Sequence, residues 1–582
     1  MKKKIISSIS ALLLSCSALF GAVSCGGGGE STAPTSEKES AKGMITASAL
    51  TVEELGAGFD AKYLPDTSNI RALTGKIDVC LDFEGTQEGW QALAKEYERL
   101  QGGGVKVNID TTLAGSQYAQ RLNTELTANS TDWDIVEGNL GYGNTEKKCV
   151  DMYSLFASNN PYCGKDVKWN SVVDSTAYKT KEADNSGKSI IMNTEVMQTC
   201  WFVNEVALEE AGALGYKNAN GLPTYPVTWD DLISLCEYME QAGYTNPLGI
   251  TLCDASIESL QFTWLLRVYG DYYYRQFYKY IMPGGAEDEL WNIYSPTERV
   301  PENLAGYNHQ YAKILSILFN KDTPLGCGYV GFESPLYRDF VGNLAKMNGH
   351  LIKNVTTVEF GDLRDKFETQ AEGKSSPQIL LDYQGFGINY EAAQTDDFVL
   401  GYFDYPTMKS KYVPEDTITR DIGGNGGFIS VVQHVGNASQ TDLNKDFVKF
   451  VLSPYGQTIY YKGLAAANKV PKGLSTVKNE LVVIPSEWVD FFDRCNETIK
   501  FNGDVDANQF LSWGIRYTNG FPKGQATIHD VWRRLLIPNV SNALNVNSFA
   551  AEWAQAVESD AHEMTTYYGW NNKVWTDPYF TI

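Results

Sequence analysis

From Lys76 onward the chain alternates between short runs of period two and longer runs of helical period. Ile77 to Phe83 alternates apolar and polar residues as a strand does, and Glu84-Gly85-Thr86 reads as the turn after it. Trp90, Leu93, Ala94, Tyr97 and Leu100 fall at helical spacing, and Gly102 to Gly104 ends that helix. Val105 to Ile109 is a second strand, Gln117 to Ala128 a second helix, and Trp133 to Val136 a third strand. Strands alternating with helices at this spacing predict a parallel α/β sheet.

Further along, Ser189 to Met192 and Thr199 to Val203 read as two extended pieces, and a helix from Glu205 to Ala211 stops at Gly212. Thr228 is placed to cap the next helix, with Asp231 completing a capping box. Ile233, Cys236, Tyr238 and Met239 supply its apolar face before Gly243 ends it. Ser256 to Tyr280 reads as an aromatic-heavy helix, with further helices over 303–319 and 335–347. Ile379 to Asp382 is a short buried strand entering a turn at Gly385, and the glycine-rich run Gly423 to Gly427 precedes the alternating stretch from Phe428. Asp442 to Leu452 is an amphipathic helix, and the tail from Ser486 is helical with loops. Residues 44–75 hold the capping-box pattern Thr51-x-x-Glu54 and carry no further assignment.

The N-terminus has a different pattern. Lys2, Lys3 and Lys4 precede a mostly apolar stretch from Ile5 to Phe20, and Ala22, Val23 and Ser24 lead into Cys25. This is the layout of a bacterial secretory signal. Cys25 resembles the lipidated cysteine of the bacterial lipoprotein lipobox, although Ala22 stands where that box usually has Leu. Cys16, after Leu13-Leu14-Ser15, is a rival, but only Cys25 is followed by a spacer; an ordinary cleaved signal with an incidental cysteine is the other alternative. Gly26 to Gly29 and the Ser-, Thr-, Glu- and Lys-rich stretch to Lys42 read as a flexible tether. No later window holds the roughly 20 apolar residues of a membrane span, so the expected state is anchored to a membrane, not threaded through it.

The chain has 582 residues, enough for two or three domains after the signal, and 43% hydrophobic with 20% charged residues is an ordinary globular balance. Cleavage before Cys25 removes three lysines and takes the net charge from −23 to −26. That excludes nucleic acid as a partner. The eight cysteines beyond Cys25 form no C-x-x-C pair; Cys80, Cys200 and Cys236 sit in apolar stretches as buried thiols would, while a Cys149–Cys163 disulfide stays open. No His-Glu-x-x-His, G-x-S-x-G or Walker Lys-Ser/Thr is present, and Asp504-x-Asp506-x-Asn508 fails as a calcium loop because Gln509 and Ile515 stand at its sixth and twelfth positions. No metal or cofactor is expected.

Four stretches resemble the extracellular solute-binding proteins of ABC importers, in the family 1-like branch that carries sugars. The first is the strand–turn–Trp-helix over 77–100 with Val105-Lys-Val and Tyr118-Ala-Gln-Arg-Leu122. The second is Trp201-Phe-Val-Asn204, Ala211-Gly212 and Pro226-Val-Thr-Trp229-Asp-Asp231. The third is Phe367, Gly373-Lys374 and Leu380 to Gly385; the fourth is Gly423 to Gly427 with Phe447 to Gln457. The tail over 467–582 matches only loosely.

The resemblance implies a two-lobed, type II-like α/β fold of the periplasmic-binding-protein kind, with a ligand cleft between the lobes. It implies lobe 1 from 76–195 with 416–466 and lobe 2 from 196–415 with 467–582, after a signal peptide (1–24) and a tether with N-terminal extension (25–75). The implied protein is a monomeric, non-catalytic lipoprotein on the outer face of the bacterial cytoplasmic membrane. It would capture a sugar, of oligosaccharide length, and hand it to ABC permease subunits. A surface glycoside hydrolase, or an adhesin on the same scaffold, are the alternatives.

A sugar site needs aromatic platforms for C–H faces and polar groups for hydroxyls. Candidates are Glu84 and Asn139 beyond the first and third strands, Gln117 with Tyr118 after a glycine turn, and Asp382, Tyr383, Gln384 and Phe386 at the end of the third motif. Gly424 and Asn425 in the glycine-rich run, Trp264 in its apolar helix and Trp513 in the tail complete the set, while Trp229 is expected simply to pack.

Overall fold

The computed structural model describes residues 43–81, 86–111, 115–128, 131–137, 148–178, 189–253, 261–276, 331–486, 488–489, 498–499 and 530–567. Strands β1 (Gly75–Cys80), β2 (Val105–Asp110) and β3 (Ile135–Glu137) are mutually parallel, with β1 in the middle. The sheet turns mixed where β3 meets the antiparallel β8 (Asp421–Val431), which in turn pairs with β4 (Met192–Asn204). Next to β4 lie β6 (Ile379–Tyr383) and, parallel to it, β5 (Leu248–Gly249), giving the order β2-β1-β3-β8-β4-β6-β5. β7 (Leu400–Phe403) and β9 (Leu474–Ser475) pair with β4, and β10 (Thr498–Ile499) with β8.

Among the described residues two large hydrophobic cores form on this sheet beside two small clusters, and β4 passes from one large core to the other. Met192 is buried in the first core and Cys200 to Val203 in the second. The sequence predicts two extended pieces here, and the structure shows one strand of 13 residues. Its middle is polar and irregular: register shifts fall at Asn193, Glu195 and Val196, which breaks the alternation that a regular strand shows. β8 returns the other way, with Ile422 in the second core and Ile429 and Val431 in the first. The glycine-rich run read as preceding a strand lies inside β8. A Cβ on Gly427 would sit 2.4 Å from Thr194 Oγ1, so only glycine lets β8 lie this close to β4.

The helix Gln87–Leu100 buries Trp90, Leu93, Ala94, Tyr97 and Leu100 in the first core, with the Tyr97 ring against Phe447 and Phe450 at 4.9 and 5.4 Å. Helix Pro454–Ala466 crosses it closely: a Cβ on Gly463 would lie 2.6 Å from Ala92 Cβ. Residues 44–75, unassigned from sequence, pack against this core through Ile45, Leu55, Phe59 and Ile70. The Thr51–Glu54 capping box forms as expected, and the Leu50 N–H donates to Tyr455 Oη at 2.9 Å.

The second core gathers helices Glu205–Ala213, Trp229–Gln241, Gln261–Tyr274, Pro335–Ala345 and Phe360–Thr369. The Thr228–Asp231 capping box is present, and Trp229 is buried with its indole N–H donating to the Asn343 carbonyl. Past Ala466 the chain stays by the first core, where Leu474, Val477 and Trp488 are buried; Trp532, Phe549 and Trp553 of the tail then pack in the second. Cys80, Cys149, Cys163, Cys200, Cys236 and Cys253 are buried free thiols, so Cys149 and Cys163 are not bridged. Among the described residues no helix is long and apolar enough to cross a membrane.

Candidate ligand-binding site

The crossing of β4 from one core to the other brings two of the expected groups side by side. Val196, Met197 and Gln198 pair with Asn425, Gly424 and Gly423 of β8, and the next residue, Thr199, pairs with Tyr383 at the carboxyl end of β6. Gly424 and Asn425 thus flank the same stretch of β4 as Tyr383. In α/β sheets the carboxyl ends of strands, at a change of strand order, are where ligands bind.

Around the end of β6 the rings form a cluster. Tyr383 meets Trp264 edge-on at 4.7 Å, and Phe360 lies 5.9 Å from Trp264 and 6.3 Å from Tyr383. Trp264 is buried, so it backs the cluster and does not itself offer a face; Tyr383 and Phe386 are partly exposed. Asp382 turns inward. Its side chain is fully buried and accepts from Arg364 Nε and Nη2 at 2.7 and 2.8 Å, from the Tyr390 hydroxyl and from the Tyr383 N–H at 2.6 Å. With every lone-pair direction taken by protein donors, Asp382 organises the strand end and is not placed to bind a hydroxyl, contrary to its place among the contact candidates. Gln384 is likewise buried. Burial pushes the Tyr390 hydroxyl well above its ordinary pKa, with the Asp382 charge adding to it, so it remains a donor.

Sequence patterning missed Arg364 and Glu195. Arg364 stands four residues after Phe360 on one helix face, a spacing that signals a pair, but nothing in the pattern ties it to Asp382. The Glu195 carboxyl is buried at the irregular point of β4 and accepts from Tyr460 Oη at 2.6 Å. Burial raises its pKa to about 7, with the charge of Glu137 adding and the Tyr460 hydrogen bond and Lys472 opposing. A pocket of about 360 Å³ adjoins the crossing, lined by Asp174, Val196, Gln198 and residues 474–480; it includes none of the ring cluster.

Glu84, Asn139, Trp513 and Cys25 lie outside the described residues, and Gln117 is described only as a backbone position on the helix Gly115–Ala128. No cluster of His, Cys, Asp and Glu suited to a metal occurs among the described residues.

Residues 92–275, which include the whole second motif from Trp201 to Asp231, match the family of bacterial extracellular solute-binding proteins. The fold is that of an extracellular solute-binding protein. A chitin oligosaccharide binding protein superposes with a TM-score of 0.52 at 14% identity, over 84% of this chain and 99% of its own. The mannobiose complex of an ABC-transporter binding protein from Bifidobacterium animalis subsp. lactis gives 0.51 at 12% identity, over 87% and 100%. The acarbose-binding GacH receptor of Streptomyces glaucescens gives 0.50 at 14% identity, over 84% and 99%. Each of these is described as a binding protein or a receptor. No curated protein matches this sequence.

Proposed function

We propose that this protein is the capturing component of a sugar ABC importer. It is held by a lipid on Cys25 at the outer face of the bacterial cytoplasmic membrane, and it closes two lobes over an oligosaccharide and releases it unchanged to the permease. The observation that carries this reading is the partly exposed pair Tyr383 and Phe386, backed by Trp264, at the end of β6 and one residue from the glycine-rich stretch of β8. A pyranose lays its C–H face on such rings, while hydroxyls pair with polar side chains. Glu84, Gln117, Asn139, Asn425 and Trp513 are proposed to complete the site. The first lobe takes 76–195 with 416–466, and the second takes 196–415 with 467–582, except that Leu474, Val477 and Trp488 are buried in the first core.

The test is equilibrium dialysis of the purified protein against mixed oligosaccharides, with mass spectrometry of what it retains. A retained sugar of unaltered mass is expected. Retention of nothing, or appearance of shortened products as a hydrolase would give, overturns the reading.

A further inference from the structure

The ring of Phe386 is held by a cation. The Arg364 guanidinium carbon lies 3.5 Å from the Phe386 ring centroid and 4.6 Å from that of Phe360, so the planar cation contacts both rings. The same guanidinium is fixed in its own plane by the two bonds from Nε and Nη2 to Asp382. Asp382 is in turn anchored to β4 through its pairing with Cys200, and to Tyr390 by the hydroxyl bond. A chain of contacts therefore runs from the crossing strand through Asp382 and Arg364 to the Phe386 ring.

We infer that Arg364 is a positioning residue for ligand binding: stacked on Phe386 and locked to Asp382, it fixes the ring against which a sugar packs, without touching the sugar. This rests on the reading of Tyr383 and Phe386 as the sugar platform. The physical argument is preorganisation. Phe386 follows a strand end in a tight turn, and a ring free to change rotamer must give up that freedom when ligand binds, which weakens affinity. A cation held on one face removes that freedom beforehand. Only Arg can do so here, because two parallel N–H bonds to one carboxylate set the guanidinium plane; a lysine supplies the charge as a point, with no plane to stack.

The test is a double-mutant cycle on affinity for the retained oligosaccharide, read by titration calorimetry, with urea unfolding measured beside it. Arg364→Lys is expected to weaken binding about tenfold in the wild-type background. In a Phe386→Ala background it is expected to change affinity by less than about twofold, because the ring it positions is gone. A loss of stability alone would not produce that coupling. Wild-type affinity in Arg364→Lys, or the same loss in both backgrounds, overturns the inference. Should Arg364→Lys fail to fold, Phe360→Leu removes the second ring against the guanidinium while sparing the ion pair. Because Phe360 also touches Tyr383, some loss is expected in either background, but a several-fold larger one when Phe386 is present, and an equal loss in both backgrounds rejects the inference. If Phe386→Ala alone binds as wild type does, the platform itself is misplaced, an outcome distinct from a failure of Arg364 to act through it.

Discussion

Asp382 shows what a residue's place in a sequence can and cannot convey. Its position at the end of a buried strand is legible from the apolar run Ile379 to Leu381. Its role is not, because the partner that claims it, Arg364, sits on the preceding helix and is brought to it only by tertiary packing. A fully buried carboxylate with one cation partner makes a definite prediction: Asp382→Ala leaves the Arg364 charge and the Tyr390 hydroxyl without their acceptor. Urea unfolding is expected to show a loss of about 3–5 kcal/mol, the usual consequence of removing one member of a buried pair. A loss below about 1 kcal/mol would mean that Arg364 finds solvent easily, as a surface pair would. Trp229 was readable to the end: a capped helix start and an apolar face leave its ring nowhere to go but the core.

Among the elements, the crossing strand carries two predictions. Glu195 is protonated in the folded chain up to about pH 7, against a reference of 4.5, because burial disfavours its charge. Between those values the folded state binds the extra proton, so this group's contribution is greatest below pH 4.5 and is lost as pH rises through 7. Glu195→Gln is expected to match the wild type near pH 5 and to exceed it at pH 8 by about 2–3 kcal/mol in denaturant unfolding. Equal stability of the two proteins at pH 8 would contradict this. The second prediction concerns Gly473, where a Cβ would lie 1.9 Å from the Val196 carbonyl oxygen. Since that neighbour is backbone, Gly473→Ala must displace the crossing strand, and a loss of more than about 2 kcal/mol is expected by thermal or urea unfolding. These constraints also explain what the pattern concealed. Thr194, Glu195 and Gln198 interrupt the apolar alternation of β4, so one strand reads as two, and the glycines of β8 read as preceding their strand instead of lying inside it.

For the whole molecule, the order of strands and helices was enough to foresee an α/β fold, because parallel strands joined by helices admit few arrangements. The packing of residues 45–70 on the first core, joined there by Leu474, Val477 and Trp488, was not foreseen, since scattered apolar positions without a period do not say which core they join. A sugar that binds the folded state alone should stabilise it by mass action, about 2.7 kcal/mol at a hundredfold excess over Kd, so a thermal-unfolding screen identifies it as the compound that raises Tm. Small-angle X-ray scattering of the mature protein with and without that sugar then tests the central claim most directly. Closure of two lobes over the solute predicts a smaller radius of gyration in the saturated protein, while an unchanged radius at full saturation would contradict it.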